Sequence, residues 1–310
     1  MKALTVVFGH GTIGRLVTAS LLARGDAVRI AQRKRPADLP ANAEFIACDI
    51  LKPESVRQAV AGASQALLSV GFPYDSRVWR RVWPATMTNI VEACGAASVR
   101  VVFIDNLYQL GPQREPRRED MALSNHGNKA AILSQVTRIW MDAKDRVKLA
   151  ALRCTDFYGP DVTASHLGVT GLGALANKQA ATLLVPPDIP HDFAYVPDIA
   201  RAALTLLDAP DDAFGQIWNM PCAPTRTPRE ILQLGATAAG APMKVRAIPM
   251  WLLPALGLFS RLMAEVVDIG FTWDRPYVVD AAKFKKRFWS DVTPFEEGVV
   301  ATVRSFAKGT

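Results

Sequence analysis

Cysteine and histidine are scarce in this chain of 310 residues. It has four of each, with no C-x-x-C pair and no spacing typical of metal ligands. The cysteines lie far apart, which indicates buried thiols in a reducing compartment rather than a disulfide framework; they are Cys48, Cys94, Cys154 and Cys222. The histidines are scattered, and no serine and acid accompany them in an order typical of a hydrolase. We therefore expect neither a metal site nor hydrolase chemistry.

The chain also has no apolar segment suited to crossing a bilayer. Its most apolar run, Trp251 to Val267, is short and is interrupted by Pro254, Arg261 and Glu265. The first residues, Met1-Lys2, lead into a strand pattern and a glycine turn rather than into the apolar core of a signal peptide. We expect a cytoplasmic protein that has no membrane partner.

Charge of either sign is moderate. The formal net charge is +7, half of the residues are hydrophobic and 21% are charged, which is typical of a globular protein. A basic excess suits an anionic ligand or a nucleic-acid surface, but a basic excess spread over many helices more often serves solubility. Because no aromatic residues interleave with the basic cluster at 33–35, we expect no nucleic-acid partner.

The chain does have a glycine turn close to its first residue. Leu4 to Phe8 run into Gly9-His10-Gly11-Thr12-Ile13-Gly14, and a helical pattern follows from Arg15 to Arg24. This order of strand, G-x-G-x-x-G turn and helix predicts a dinucleotide site. Gly9 permits the sharp turn, Gly11 lets backbone approach a pyrophosphate, and Gly14 lets the helix lie close on the strand. The N–H groups at the helix start, around Thr12 and Ile13, would face the phosphates.

The residues after the second predicted strand, Ala27 to Gln32, indicate which dinucleotide is bound. An acidic residue about 20 positions beyond the glycine turn contacts the ribose hydroxyls of NAD(H), whereas an arginine accommodates the 2′-phosphate of NADP(H). Here Arg33 and Lys34 occupy this position, and no carboxylate occurs before Asp38. We predict NADP(H) in preference to NAD(H); the alternative is a solvated basic loop.

Strand and helix patterns alternate through the first half of the chain. Further strands are predicted at Glu44 to Ala47, Ala66 to Val70, Val99 to Ile104 and Val147 to Cys154, with helices at 55–61, at 79–94 and from about Asn125. The alternation predicts an α/β fold with a doubly wound parallel, Rossmann-like sheet, followed by a smaller, mostly helical carboxy-terminal substrate region. Ligands of such sheets bind at the carboxyl ends of the strands. We therefore assign Asp49, Ile50 and Ser69 to the cofactor site.

Two kinds of region follow from this pattern. We assign a dinucleotide-binding domain to residues 1–160, with 191–220 returning to the sheet, and a substrate-binding region to 161–190 and 221–310. The apolar helices around Trp251 to Met263 would form a satellite core, roof a pocket or be buried between the subunits of a homodimer. These three alternatives stay open from sequence.

Several segments, in order, resemble the extended or atypical short-chain dehydrogenases/reductases of the NAD-dependent epimerase/dehydratase family. They are the turn at 9–14, Asp49-Ile50, the helix at 89–93, Phe157-Tyr158-Gly159-Pro160, the segment 193–202, Ile217 to Met220 and Thr293 to Gly298. No single segment is specific, but their order spans nearly the whole chain. The resemblance implies a dinucleotide-dependent enzyme that acts on a small molecule.

The chain departs from this family at the position of its catalytic tyrosine. Members usually carry Ser or Thr after the fifth strand and Tyr-x-x-x-Lys on the next helix. Here Asn106 lies after the strand, and Asn125 precedes Lys129 by four positions. The resemblance implies that Lys129 contacts the cofactor ribose, but an asparagine amide does not titrate near neutrality and cannot transfer the proton.

Another residue must then supply the proton. Tyr108 is the first candidate, because its loop leaves the carboxyl end of the fifth strand; Tyr74 and Tyr158 are next. Asp105 would act as a base or orient a loop, and His191 would line the substrate cleft or lie in a surface loop. For each tyrosine the alternative is a packed ring with a locally satisfied hydroxyl.

Two hypotheses of different class result. The first is an NADP(H)-binding oxidoreductase or epimerase-like enzyme that transfers hydride to or from a small carbonyl or hydroxyl substrate. The second is a non-catalytic dinucleotide-binding regulator or scaffold, which the missing tyrosine favours.

Overall fold

The computed structural model describes residues 3–307. Met1 and Lys2, which belong to the segment judged not to be a signal peptide, lie outside the described residues, as do the last three residues of the predicted substrate region. Within residues 3–307, no helix is long and apolar enough to cross a membrane.

The strands of the described residues are β1 (Leu4–Phe8), β2 (Ala27–Gln32), β3 (Glu44–Ala47), β4 (Gln65–Leu68), β5 (Arg100–Asp105), β6 (Leu149–Arg153), β7 (Asp156–Tyr158), β8 (Ala181–Leu183), β9 (Phe193–Tyr195), β10 (Gln216–Asn219) and β11 (Val245–Ala247). The α-helices are α1 (Thr12–Ala23), α2 (Pro53–Val60), α3 (Ser76–Ala96), α4 (Gly127–Met141), α5 (Ala174–Ala176), α6 (Val196–Asp208), α7 (Pro228–Ala239), α8 (Leu253–Gly257), α9 (Arg261–Asp268), α10 (Ala282–Arg287) and α11 (Phe295–Ala307). Short 3-10 turns occur at Tyr108–Leu110, Asp211–Ala213, Met250–Leu252 and Gly270–Thr272.

Seven strands form the main sheet, in the order β10-β6-β5-β4-β1-β2-β3. Strand β1 lies between β2 and β4 and pairs with both in parallel, with Val7 opposite Ile30 on one side and Leu67 on the other. Val6, Val7 and Phe8 are fully buried, as expected for a strand covered by helices on both faces. The predicted doubly wound parallel sheet is confirmed. Its strand order reverses between β1 and β4, which is where such sheets bind ligands.

The predicted strands of the sheet end within two residues of their observed bounds. The larger difference is α3, which begins at Ser76 rather than near Trp79 and continues through Pro84. The cause is a cap: the carboxylate of Asp75 accepts a hydrogen bond of 2.8 Å from the backbone N–H of Arg77.

The chain packs as two compact units. The first comprises the described residues up to Asn106 together with Ala131–Arg153 and Ala200–Trp218, and it holds the main sheet. The second comprises Leu107–Ala130, Cys154–Ile199 and the described residues from Asn219 onward. These bounds differ from the sequence assignment at 107–130, 154–160, 191–199 and 219–220, which belong to the second unit. The functional labels of the two regions remain proposals.

The second unit contains short strands that the sequence analysis did not predict. β7 pairs with β9 and β8 with β11, both in parallel, and each of these strands has three residues. Strands this short give too few alternating residues for a period to be recognised.

Helix α7, also in the second unit, begins with a capping box, in which Thr227 and Glu230 exchange hydrogen bonds between side chain and backbone.

Candidate functional site

The three glycines of the turn after β1 have the geometry that their predicted roles require. Gly9 has φ +94°, and a Cβ added there would lie 2.9 Å from the carbonyl oxygen of Ser69. A Cβ at Gly14 would overlap the carbonyl oxygen of Gly9, so α1 starts in direct backbone contact with the turn. At Gly11 an added Cβ would meet no atom within 4 Å, which leaves the helix start open on that side. Of the three glycines, only Gly11 therefore leaves its backbone open to close approach by a ligand.

Helix α1 offers an anion site at its first turn. Its N-cap residue is Gly11, no side chain caps the helix start, and the first turn has no acidic residue. Ile13, in this first turn, is buried in the core. The N–H groups of the first turn and the positive end of the helix dipole thus favour a phosphate. The residues present fit the pyrophosphate of a dinucleotide.

Gln32, which the sequence analysis did not select, connects the glycine turn to the end of β2. Its side-chain oxygen accepts a hydrogen bond of 3.1 Å from the backbone N–H of His10, and its amide donates to the carbonyl oxygen of Lys34 at 2.8 Å. Ser69 supports the turn from β4, because its hydroxyl donates to the carbonyl oxygen of Gly9 at 3.0 Å. The turn is thereby held from both neighbouring strands.

The imidazole of His10 also belongs to this turn. Burial lowers the pKa of His10, so the ring is neutral near pH 7, and its Nδ1 atom is buried without a hydrogen-bond partner. A buried polar atom without a partner indicates a place where a ligand or water completes the hydrogen bonding. In the sequence, the one feature that could have identified the His10 imidazole as a site group is its position inside the glycine turn.

The basic residues after β2 are exposed. Arg33 and Lys34 lie in the loop that begins where Gln32 ends, while Arg35 packs its guanidinium 5.7 Å from the ring centroid of Phe45. Asp38, the first carboxylate after the strand, is exposed and pairs with Arg15 at 3.4 Å. All three cations reach solvent, and Arg33 and Lys34 are the two that come directly after β2.

Asp49 acts on its own turn. Its carboxylate accepts a hydrogen bond from the backbone N–H of Leu51 at 3.2 Å, and its own N–H donates to the Ser55 hydroxyl at 3.0 Å. The carbonyl oxygen of Ile50 accepts from the side-chain amide of Asn89 at 2.9 Å. These bonds order the turn after β3, so any contact of Asp49 and Ile50 with a cofactor stays a prediction.

Asp105 lies at the carboxyl end of β5, directly opposite Arg153 of β6. Both side chains are buried, and the Nε atom of Arg153 lies 3.3 Å from a carboxylate oxygen of Asp105. The Nε–H of Arg153 donates to this carboxylate, so the two buried side chains are partners. The sequence analysis did not identify Arg153 as the partner of Asp105, and both roles considered for Asp105, as a base or in orienting a loop, stay predictions.

Lys129 is fully buried at the start of α4, where two carboxylates of α9 engage it. Its Nζ atom forms an ion pair with the carboxylate of Glu265 and donates to the carbonyl oxygen of the same residue at 3.2 Å. Asp268 lies 3.8 Å from Nζ and accepts hydrogen bonds from the backbone N–H groups of Asn128 and Lys129. Burial lowers the pKa of Lys129, and both carboxylates oppose that shift. The contact of Lys129 with a ribose stays a prediction.

The remaining tyrosine candidates differ in their surroundings. Tyr108 is half-buried at the start of a 3-10 turn, and Tyr74 is half-buried with its ring edge against Trp79. Tyr158 is 1% exposed between the rings of Tyr195 and Phe295, and burial raises its pKa well above the ordinary value. A buried phenol of this kind is a poor proton donor near neutral pH.

His191 lies in a buried stack of aromatic rings. Its ring is parallel to that of Trp273 at 3.7 Å and faces Tyr277 at 4.7 Å. Its Nε2 atom lies 2.9 Å from a carboxylate oxygen of Asp156, whose pKa this contact lowers. The surface-loop alternative for His191 is wrong, because the side chain is fully buried by this stack.

Among the described residues, no three His, Cys, Asp or Glu side chains are arranged to hold a metal ion. The first unit brings together the glycine turn, Gln32 and Ser69, and separately Asp105 with Arg153. The second unit brings together Lys129, Glu265 and Asp268.

A comparison with protein families matches residues 5–220 to the model described as the NAD dependent epimerase/dehydratase family. Comparison with curated proteins gives no match.

Solved structures share the fold over nearly their whole length. The Bordetella bronchiseptica enzyme WbmH in complex with NAD+ has 19% sequence identity and a TM-score of 0.77, with 99% of this chain and 98% of that chain covered. The dTDP-glucose 4,6-dehydratase of Bacillus anthracis in complex with NAD has 15% identity and a TM-score of 0.79, with 99% and 97% covered. The UDP-glucose 4-epimerase of Thermotoga maritima with UDP-glucose has 17% identity and a TM-score of 0.78, with 99% of each chain covered.

The glycine turn yields a paired prediction. Gly14→Ala should destabilise the protein by about 3 kcal/mol, because the new methyl group overlaps backbone that cannot move away. Gly11 has a backbone conformation that alanine can adopt, and there is free space for the added methyl group. The free energy of unfolding of Gly11→Ala should therefore stay within about 0.5 kcal/mol of the wild-type value, while its affinity for the dinucleotide falls. Thermal denaturation and NADPH titration of both variants measure this. Equal destabilisation by both substitutions would contradict the assigned geometry.

The buried Lys129 pair yields a second prediction. Glu265→Gln should lower the free energy of unfolding by about 3 kcal/mol, because it removes a negative charge that balances the buried ammonium group of Lys129. Replacing both partners by apolar residues, Lys129→Met with Glu265→Leu, should recover part of this loss. Urea unfolding measures each value, with Glu54→Gln in the exposed Glu54–Arg57 pair as the control that changes stability by at most about 1 kcal/mol. A Glu265→Gln variant no less stable than this control would refute the account of the pair.

Proposed function

Because the chain belongs to the NAD dependent epimerase/dehydratase family, we propose that it is an NADP(H)-binding oxidoreductase or epimerase-like enzyme. It acts on a small carbonyl or hydroxyl compound by hydride transfer. The observation that carries this proposal is the turn after β1, where Gly11 leaves the start of α1 open and no side chain caps it. A helix start of this kind suits a pyrophosphate.

The preference for NADP(H) is supported by charge at the end of β2. Arg33 and Lys34 are exposed there, and Asp38 is engaged by Arg15. A 2′-phosphate near these cations gains charge-assisted hydrogen bonds, whereas a ribose with two hydroxyls has no acidic partner at this position. WbmH and the dehydratase of Bacillus anthracis were solved with NAD, so the preference is a property we propose for this chain's own loop.

The proposed catalytic groups are Tyr108, Lys129 and Asn106. NADP(H), when bound, supplies or accepts the hydride. Tyr108 donates or accepts the substrate proton, Asn106 orients the substrate by hydrogen bonding, and Lys129 provides positive charge near the ribose. Glu265 and Asp268 hold the Lys129 ammonium in a fixed place, which would keep its position constant through the reaction.

The substrate class follows from chemistry of the second unit. The epimerase of Thermotoga maritima was solved with UDP-glucose, a highly polar ligand. In this chain the buried side of α8 and α9, which includes Leu253 and Val266, is apolar and favours a less polar carbonyl or hydroxyl compound. We propose that Tyr74 contacts the substrate, and that Asp105, Tyr158 and His191, which are mostly enclosed by neighbours, shape the loops around it.

The organisation of the chain is proposed on the same basis. The first unit is the dinucleotide-binding part and the second supplies substrate contacts. We propose a cytoplasmic enzyme with a small-molecule substrate.

One observation favours a second candidate function. Asn125 stands where the family usually has tyrosine, and Lys129 is engaged by two carboxylates within the protein. A chain with these features could retain dinucleotide binding without turnover and act as a regulator or scaffold. The two candidates share the cofactor site and differ only in chemistry.

The cofactor preference is tested at Arg33. Arg33→Ala should weaken NADPH binding about 10- to 100-fold, equivalent to one charge-assisted phosphate contact, and should change NADH binding less than about threefold. Isothermal titration of both nucleotides measures this, with Arg57→Ala as a control because Arg57 lies in an exposed pair on α2. Equal weakening of NADPH and NADH would reject the assignment of Arg33 to the 2′-phosphate.

The catalytic role of Tyr108 is tested by removing its hydroxyl. With a panel of aldehydes, ketones and alcohols, Tyr108→Phe should lower substrate-dependent NADPH turnover by about 100-fold or more and leave NADPH affinity unchanged. Tyr195→Phe, at a half-buried tyrosine outside the proposed site, is the matched control for loss of a phenol and should keep wild-type turnover. Wild-type protein that binds NADPH but turns over none of the panel would favour the regulator instead.

A further inference from the structure

The segment 250–268 exposes an unusual amount of apolar surface. We call it the apolar hairpin; it consists of the 3-10 turn Met250–Leu252, α8 and α9. Trp251 is 77% exposed, Leu258 is 82% exposed and Phe259 is 92% exposed, and Leu256, Leu262 and Val267 are exposed as well. Single exposed apolar residues are ordinary, but six large ones within one short segment indicate an interaction surface.

The hairpin is packed against the rest of the second unit, so its exposed apolar residues do not belong to an unattached segment. Its two helices touch closely, since a Cβ at Gly257 would lie 3.3 Å from the Cα atom of Ala264. Leu253 and Val266 are buried, and Glu265 and Asp268 bind Lys129 and the start of α4. One side of the hairpin is therefore fixed to the second unit. The other side carries the exposed apolar residues.

The exposed charges in the chain segment around the hairpin all have one sign. Between residues 241 and 267 the exposed charged side chains are Lys244, Arg246 and Arg261. The single carboxylate in this stretch, Glu265, is buried and pairs with Arg261 at 2.6 Å, and the following Asp268 accepts hydrogen bonds from the start of α4. Lys244 and Arg246 are therefore the cations that the proposal uses. The surface thus combines protruding tryptophan, leucine and phenylalanine side chains with lysine and arginine.

This combination fits the headgroup region of a bilayer. Tryptophan is favoured at the interface, leucine and phenylalanine insert below it, and basic residues are attracted to anionic headgroups. A second copy fits less well, because a two-fold symmetric contact places the same surface against itself and adds the Lys244 and Arg246 charges of both copies, with no exposed carboxylate between residues 241 and 267 to offset them. We propose that the apolar hairpin docks on the surface of a membrane that contains anionic phospholipids.

This docking differs from spanning. The sequence expectation of no membrane partner considered only segments that cross a bilayer, and no helix in residues 3–307 does so. An interfacial hairpin needs only its exposed tip to enter the headgroup region. The proposal does not rest on the proposed enzyme activity.

Co-sedimentation with vesicles tests the proposal. The full chain is mixed with vesicles of phosphatidylcholine alone, or of phosphatidylcholine with phosphatidylserine. We expect binding to the anionic vesicles at least about tenfold stronger than to the neutral ones, and weaker binding at high salt because the electrostatic part is screened. Leu258→Ser with Phe259→Ser, and separately Lys244→Glu with Arg246→Glu, should each lower binding to anionic vesicles about tenfold or more.

Matched controls keep the comparison sharp. Leu51→Ser with Val169→Ser removes two exposed apolar residues outside the hairpin, and Lys52→Glu with Lys286→Glu makes the same charge change outside it. Both controls should bind vesicles like wild type, and thermal unfolding checks that every variant is folded. The proposal is overturned if wild type stays in the supernatant with both kinds of vesicle, or if the hairpin variants bind as wild type does. It is also overturned if light scattering shows a dimer that Leu258→Ser with Phe259→Ser dissociates while vesicles bind neither protein.

Discussion

The contact of α1 with the turn after β1 is the constraint on which the candidate site depends. Any side chain at Gly14 would overlap the carbonyl oxygen of Gly9, so the helix starts directly on the turn at the carboxyl end of the central strand. Gln32 and Ser69 hold the same turn from β2 and β4. Because the backbone is fixed in this way, the open side at Gly11 and the free helix start are available to a ligand without rearrangement.

The pair of Lys129 with Glu265 plays a similar part in the second unit. It joins the start of α4 to α9 through a buried ion pair, and Asp268 adds hydrogen bonds to the same helix start. The pair fixes the position of the Lys129 ammonium group, which the resemblance to the family predicts to contact the cofactor ribose. It also anchors the hairpin whose apolar side is exposed. A buried pair of this kind is weak evidence for stability, and what it shows here is which groups of α4 and α9 lie together.

The sequence predicts local features well and tertiary partners poorly. The parallel strands were predicted because apolar runs alternate with helical patterns, and the glycine turn because each of its glycines has a distinct steric purpose. The partners of Lys129 and Asp105 were not predicted, since Glu265 lies 136 residues from Lys129 and Arg153 lies 48 from Asp105. The burial of His191 was missed for the same reason, because Trp273 and Tyr277 come from a distant segment. Gln32 has no sequence signal beyond its place at the end of a strand.

Titration of the purified wild-type chain with NADPH and with NADH, followed by calorimetry, is the most direct test of the central claim that the glycine turn is a dinucleotide site. The account predicts saturable binding of one nucleotide per chain, with NADPH bound more tightly than NADH. Absence of binding by both nucleotides, in a protein shown to be folded by its cooperative thermal unfolding, would contradict it.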